Sequence, residues 1–561
     1  MSITHTPPRV RALFLRLFPY GLLLGGLCLS GAASVVEQVT AQATCGVSTA
    51  NGVVQGQDLG NSCAFLGVPY AAAPVGNNRW RPPQPAPPWT TPVPGSTPPP
   101  NCPSINTGKP AGNEDCLKLN IWVSKSSLAG SAAPVIVWLH TGSFVASSAN
   151  SPSHKGQRLA EESGVIVVAP NYRLGPFGFL AHPAFAAEDA NHPSSGNYGL
   201  MDQRAALVWV RDNIGRFGGD PDNVTLAGTS AGADSVGLHL VSPASAGLFH
   251  RAIIESGTPL IRWPRYDETV SQGEALAAAL GCTGDAAAVR ACLRTKTFDV
   301  VLLALPQGVQ QVTEASGRTF WLPTVDGIEI PDQPRLLIEV GAFHHVPTIV
   351  GTTRDEGWNF VTRSFTSGAT LADYETWLQT EFGSDAARVL SEYPAGAFPS
   401  PTEAIAHVVT DGQFVCETRR LGRLIERTGT RTYLFSYEYL IDALSPGHVV
   451  HGVESNIVFG NDYVPNQFVP HALDADDNVL HAAMQGYWTR FARSGNPNSD
   501  DDSVVHWPAF KHPTGAGRGA DKYLVFDSAI VERLRQRESA CDFFEPYFFR
   551  SMLAAVPATV P

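Results

Sequence analysis

The feature that most restricts how this chain can fold is a repeated alternation of short apolar runs with helix-like stretches. Residues 134–139, 165–169, 224–227, 252–254 and 346–350 are such runs, and residues 432–437 are β-branched and aromatic. A strand with one wet face alternates apolar and polar side chains, whereas a strand covered on both faces reads as an unbroken apolar run. Between these runs the period changes. Within residues 200–217, Leu207, Val210 and Ile214 recur at spacings of three and four, and residues 483–492 read similarly. Strands alternating with helices predict an α/β layer fold, with helices covering a large, mostly parallel central sheet. Length alone would allow three or four domains for 561 residues. No stretch of linker composition interrupts the alternation, so one large domain is expected.

Composition supports a packed globule. Hydrophobic residues make up 43% of the chain and charged residues 16%, which supplies a large core and excludes disorder. The net charge is −12 with no long basic run, which argues against nucleic acid or an anionic membrane as partner. Residues 82–100 are rich in proline and are expected to form a packed, extended surface segment.

The N-terminus reads as a targeting segment. Arg9, Arg11 and Arg16 precede an apolar stretch over residues 17–29, followed by small residues at 30–34. That order is the signature of a secretory signal peptide, with cleavage expected after Ala33 or after Ala43. The mature domain is then residues 44–561, secreted or periplasmic. The competing reading is a membrane anchor, but the apolar core is shorter than the roughly 20 residues a span needs, so no integral span is expected in the mature chain. Cys28 follows Leu27 rather than a small residue, against a lipoprotein site. Cys28 leaves with the signal. Cys45, Cys63, Cys102, Cys116, Cys282, Cys292, Cys416 and Cys541 remain, an even set without a C-x-x-C pair, which reads as disulfides in an oxidising compartment. Spacing alone leaves about a hundred pairings open.

The chemistry concentrates at Gly228-Thr229-Ser230-Ala231-Gly232, where an apolar run ends in G-x-S-x-G and continues into a helix-compatible, small-residue stretch. A serine on a tight strand-to-helix turn is pushed outward, and only small neighbours permit the turn. The following helix aims its N-terminal amides at the same point, where they can stabilise developing negative charge. Serine is barely ionised near neutral pH, so it needs a base and a third group to orient that base. In α/β-hydrolases both follow the serine in the order acid, then histidine, which removes His140, His154, His182 and His192 as bases. Several histidines remain.

Collinear blocks along nearly the whole mature chain resemble the type-B carboxylesterase family, which includes cholinesterases and fungal lipases. They are Gly67-Val68-Pro69-Tyr70-Ala71 with Pro74-Val75-Gly76, Glu114-Asp115-Cys116-Leu117, Asn171-Tyr172-Arg173-Leu174-Gly175, the block from Gly196 to Arg204, and Phe217-Gly218-Gly219-Asp220-Pro221 leading into the serine turn. The resemblance implies an α/β-hydrolase fold and hydrolysis of carboxylic esters by Ser230 through an acyl-enzyme. Gly351 to Gly357 matches the family's Gly-x-x-x-x-Glu-Gly pattern and nominates Glu356 as the acid, with Asp355 its chief competitor. His451-Gly452 ahead of Phe459-Gly460 matches the block that holds the base. By position Gly142, Ser143 and Ala231 supply the oxyanion amides, with Thr141 and Ser143 standing where relatives usually carry glycine or alanine.

The same resemblance implies disulfides Cys102–Cys116, Cys282–Cys292 and Cys416–Cys541, leaving Cys45–Cys63. The Cys416–Cys541 loop would remove roughly 5 kcal/mol of unfolded-state entropy in the loop-closure model. Arg79 with Glu114 and Arg173 with Asp202 match structural ion pairs. Two departures argue against choline esters: Thr229 replaces the Glu or Gln of many relatives, and the Cys102–Cys116 loop has no aromatic residue to stack on a quaternary ammonium. Phe144, Trp263, Thr319 and Trp358 are the candidate pocket walls; the alternative for these aromatics is ordinary core. A small or polymeric ester substrate is expected, and no metal or cofactor: there is no H-E-x-x-H, zinc-type cysteine spacing or P-loop, and the acidic runs at 474–477 and 500–502 lack calcium-loop spacing. Two other functions compete. One is a lipase or polyester hydrolase using the same machinery. The other is a non-catalytic adhesion protein, disfavoured because relatives of that kind have lost the serine.

Overall fold

Thirteen strands form the main sheet in the computed structural model, which describes residues 45–547 apart from 131, 191, 306–320, 463–470 and 512–520. In chain order they are β1 (Gly46–Ser48), β2 (Val53–Asp58), β3 (Ser62–Pro69), β4 (Val93–Gly95), β5 (Lys118–Ser124), β6 (Ala133–Leu139), β7 (Ile166–Pro170), β8 (Gly219–Thr229), β9 (Arg251–Glu255), β10 (Thr348–Thr353), β11 (Thr432–Tyr437), β12 (Lys522–Phe526) and β13 (Val531–Leu534). Their order across the sheet is β1-β2-β3-β5-β7-β6-β8-β9-β10-β11-β12-β13, with β4 paired to β2. From β7 to β12 every pairing is parallel, as is that of β2 with β4, while β1–β2, β2–β3, β3–β5, β5–β7 and β12–β13 are antiparallel. Six of these strands overlap the six runs picked from the sequence. β4 lies within the Pro-rich segment.

The unbroken apolar character of the central strands has a direct packing cause. In β6, Val135, Val137 and Leu139 point into a core with Leu207 and Val210 of α1 (Tyr198–Asn213) and Val236 and Leu240 of α2 (Ala231–Val241). Ile136 and Trp138 point the opposite way, into a second core with Tyr487, Trp488 and Phe491 of the long C-terminal helix Ala475–Ser494. Successive side chains leave a strand on opposite faces, so both registers must be apolar. Fully burying one large apolar side chain is worth about 1.5–3 kcal/mol, and this sheet does so on both faces at once. A third apolar cluster joins the helices α3 (Trp358–Ser364), α4 (Pro401–Val409) and α5 (Cys416–Glu426) through Phe360, Val409 and Cys416.

Disulfides join Cys45–Cys63, Cys102–Cys116, Cys282–Cys292 and Cys416–Cys541. The last ties α5 to the helix Glu538–Phe544. Arg79 donates from Nε to Glu114 at 2.6 Å, and the Arg173 fork grips Asp202 at 2.7 and 2.8 Å with both partners buried. Among the described residues no helix is long and apolar enough to cross a membrane, and no group of three His, Cys, Asp or Glu is arranged to hold a metal ion.

Candidate active site

Parallel strands bring their C-terminal ends to one edge, where open α/β sheets place their sites. The order reverses around β6, which lies between β7 and β8. Every catalytic candidate follows one of these ends: residues 140–144 follow β6, Ser230 follows β8, Glu356 follows β10, and His451 lies on the segment that follows β11.

Ser230 sits between β8 and α2 with φ 57° and ψ −126°, a conformation that a side chain-bearing residue adopts only where its surroundings enforce it. The enforcement is visible. Ser230 N–H donates to Glu255 O at 3.0 Å, and its carbonyl accepts from Asp234 N at 2.8 Å. Two residues on, a Cβ at Gly232 would lie 2.0 Å from the carbonyl oxygen of Leu139, so helix and β6 approach too closely for any other residue. Ala231 is the first helical residue, a position whose N–H has no intrahelical acceptor.

That close approach sets the end of β6 beside the serine turn. From there the chain runs through Gly142 at φ 112°, Ser143 at φ 57° and Phe144 at φ 62°. A Cβ at Gly142 would come within 2.2 Å of Ala146 O, so this glycine is sterically required while the next two positions tolerate side chains under strain. Among the described residues neither a backbone carbonyl nor a side chain accepts from the Gly142 or Ser143 amides. The loop is anchored from behind: Tyr172 donates its hydroxyl to His140 O at 2.8 Å, its ring stacks on the His140 ring at 4.2 Å, and Gly175 N donates to Phe144 O at 2.7 Å. Burial pushes the His140 imidazole down to about 4, so it is neutral at ordinary pH. Phe144 and Trp263 are fully buried and pack edge to face. Both back the loop as core.

Glu356 and His451 meet across 95 residues of sequence. His451 Nδ1 and Glu356 Oε2 are 2.5 Å apart, and Thr353 N donates to Glu356 Oε1 at 2.7 Å. A carboxylate only accepts, so Nδ1 carries the proton and Nε2 is the basic nitrogen. Asp355 is engaged otherwise. Its carboxylate accepts from Val449 N at 2.8 Å and Arg354 Nε at 2.9 Å, and its own N–H donates to Val449 O at 3.0 Å. It thereby ties the segment carrying the acid to the segment carrying the base. Trp358 reinforces that tie by stacking on His448 at 3.7 Å. The His451 ring is flanked by Phe360 at 4.9 Å and by Phe414 at 5.2 Å, the latter on the π-helical turn Thr410–Val415. Such turns concentrate at functional sites. Thr319, with its neighbours Gly317 and Arg318, lies outside the described residues.

Sequence reasoning missed a second set of buried polar groups. Glu255, at the end of β9, is fully buried; Trp488 Nε1 donates to its Oε1 at 2.7 Å and Thr229 Oγ1 to its Oε2 at 3.1 Å. Ser256, at φ 52°, donates to Glu454 Oε1 at 2.6 Å, and Glu454 is also fully buried. A readable signal existed: Glu255 directly follows the apolar run 252–254, where a charge is out of place unless it has partners. Phe360 and Phe414 gave no such signal, because an aromatic beside the site and one in the core look alike in sequence.

Comparison with known proteins identifies the family. The chain matches the model of the carboxylesterase family across residues 43–543. It is 35% identical over 473 residues to the fumonisin B1 esterase of Sphingopyxis macrogoltabida, covering 82% of this chain and 84% of that protein. It is 32% identical over 494 residues to the para-nitrobenzyl esterase of Bacillus subtilis (strain 168), covering 86% and 95%.

Proposed function

The chain belongs to the carboxylesterase family and is a carboxylic-ester hydrolase, and from that premise we propose that Ser230, His451 and Glu356 carry the reaction through an acyl-enzyme. His451 Nε2 takes the hydroxyl proton as Ser230 Oγ bonds to the ester carbonyl carbon. Amides of Gly142, Ser143 and Ala231 receive the oxyanion. The imidazolium, steadied by Glu356, then protonates the departing alcohol, and water repeats the sequence to release the acid. The observation that carries this reading is the Glu356–His451 bond at 2.5 Å, made by two buried groups far apart in sequence.

The substrate is a carboxylic ester other than a choline ester. Supporting this are Thr229 beside the nucleophile and a Cys102–Cys116 loop without an aromatic side chain. Two relatives are named for fumonisin B1 and a para-nitrobenzyl ester, which favours substrates larger than simple acetates. The protein is exported, residues 1–43 serving as its signal peptide and residues 44–561 as the mature domain; four disulfides suit an oxidising compartment.

A fluorophosphonate probe tests the nucleophile. Wild-type protein is expected to take up one equivalent and lose activity, while Ser230→Ala takes up none and keeps its circular dichroism spectrum. Ester hydrolysis retained by Ser230→Ala would overturn the assignment.

A further inference from the structure

Behind the serine turn lie two carboxyl groups that the proposed reaction does not use. Glu255 and Glu454 are fully buried, and neither forms an ion pair with Lys, Arg or His among the described residues. Glu454 feels the charge of Glu255, and two carboxylates this dry that interact in this way cannot both be ionised, because each desolvated charge already lacks water and the second adds repulsion.

The donors decide which one holds the charge. Both oxygens of Glu255 accept a hydrogen bond, from the Trp488 indole and the Thr229 hydroxyl. Glu454 accepts from Ser256 on one oxygen and feels the charges of both Glu255 and Glu356. Other titratable groups around the pair are Tyr437, whose hydroxyl feels Glu454, and His451, bonded to Glu356. Among the described residues no Lys or Arg forms an ion pair with Glu255 or Glu454.

The positions of the two side chains give this arrangement a role. Glu255 bonds to Thr229, the residue before the nucleophile, and its backbone carbonyl accepts from Ser230 N. Glu454 lies three residues beyond His451 on the helix Glu454–Phe459. The pair therefore connects the serine turn to the segment carrying the base. We propose that Glu255 and Glu454 share one proton and hold a single negative charge, resident on Glu255, which supports the imidazolium that forms on His451 during attack. Both are positioning residues, acting through the base. The proposal rests on the reading of Ser230, Glu356 and His451 given above. It also accounts for Thr229: a hydroxyl there donates to Glu255, whereas a carboxylate would add a third charge to the cluster.

Burial pushes the Glu255 carboxyl up to about 7 despite its two donors, and holds Glu454 well above the usual carboxylate range, with Glu255 and Glu356 adding to the rise. The charge on Glu255 is thus lost as pH falls below neutrality.

The test is the pH profile of kcat/KM for Glu255→Gln, Glu255→Asp and Glu454→Gln, each first titrated with the fluorophosphonate probe. Glutamine at 255 can still accept from Trp488, so folding is expected. Removing the resident charge makes His451 a weaker base, so Glu255→Gln should move the acid limb to lower pH by about half a unit or more, roughly a threefold change in proton affinity. Glu255→Asp should restore most of that shift. In Glu454→Gln the charge stays on Glu255, so its acid limb should stay with the wild type whatever happens to kcat. An unmoved limb in Glu255→Gln, or an equal displacement in Glu454→Gln, would overturn the proposal. Wild-type protein that fails to label would instead overturn the acyl-enzyme reading, which separates the two failures.

Discussion

The serine turn and the acid–base pair reach the same edge of the sheet by opposite means. The turn is local: Gly228 to Gly232 are consecutive, and backbone sterics alone dictate which residues fit. The pair is assembled from segments 95 residues apart, and side chain and backbone contacts from Asp355 and Trp358 hold those segments together. In the first region structure and chemistry are one thing. In the second they separate, because the groups that hold the loops are not the groups proposed to react.

The sharpest test of that separation is Glu356→Gln. Thr353 N–H already donates to Oε1, so the glutamine oxygen must face Thr353 and its amide nitrogen must face His451 Nδ1. Nδ1 then becomes the acceptor, the proton moves to Nε2, and the base is lost. An activity loss of about 10⁴-fold is expected, as for the equivalent tautomer fault elsewhere, with unfolding free energy within about 1 kcal/mol of the wild type. If stability collapsed together with activity, the separation drawn here would be wrong.

Gly232→Ala should break the other region, and differently. The new Cβ would meet a backbone oxygen at 2.0 Å, which cannot rotate away as a flexible side chain could. Overpacking of this kind costs about 3 kcal/mol, and relief requires α2 to move away from β6. Hydrolysis, fluorophosphonate labelling and stability are expected to fall together, as urea unfolding and active-site titration would show. An alanine variant that labels at the wild-type rate would mean the contact between β6 and α2 is looser than described.

The same contrast explains what the sequence made legible. Runs such as 134–139 and 432–437 announced two-faced burial, because alternation along a strand is a local property, and the fold class followed from them. Gly228-x-Ser230-x-Gly232 announced the turn for the same reason. Glu356 and His451 needed the family resemblance, since no local rule separates His451 from the other histidines beyond Ser230. Asp355 shows why: adjacent to Glu356 and chemically equivalent, it differs only in facing Val449, a contact that exists once the chain has folded. Glu255 and Glu454 were invisible as a pair, because their proximity arises from the neighbouring ends of β8 and β9 and the return of the segment after β11.

The smallest effect expected also lies beside the serine turn, and it has the opposite sign. Asp234 is buried in α2, where its carboxylate accepts from Thr258 N at 2.9 Å, and burial pushes it up to about 8. A carboxyl whose folded pKa exceeds its unfolded value of about 3.9 holds its proton more tightly in the native state. Its contribution to stability is then complete at low pH and is lost as pH rises from about 4 towards 8. Asn at this position keeps an acceptor for Thr258 and has no charge to bury. Asp234→Asn should therefore be more stable than the wild type by about 1–3 kcal/mol at pH 8, with the gain fading to nothing near pH 4. Glu255 and Glu417, also raised by burial, are present in both proteins and cancel in the difference. Urea unfolding at pH 8, 6 and 4 measures it, and a gain that stays constant across that range would trace to packing instead of charge. Packing alone would then govern the turn, whereas a pH-dependent gain shows that its steric demands and its buried charge can be altered separately.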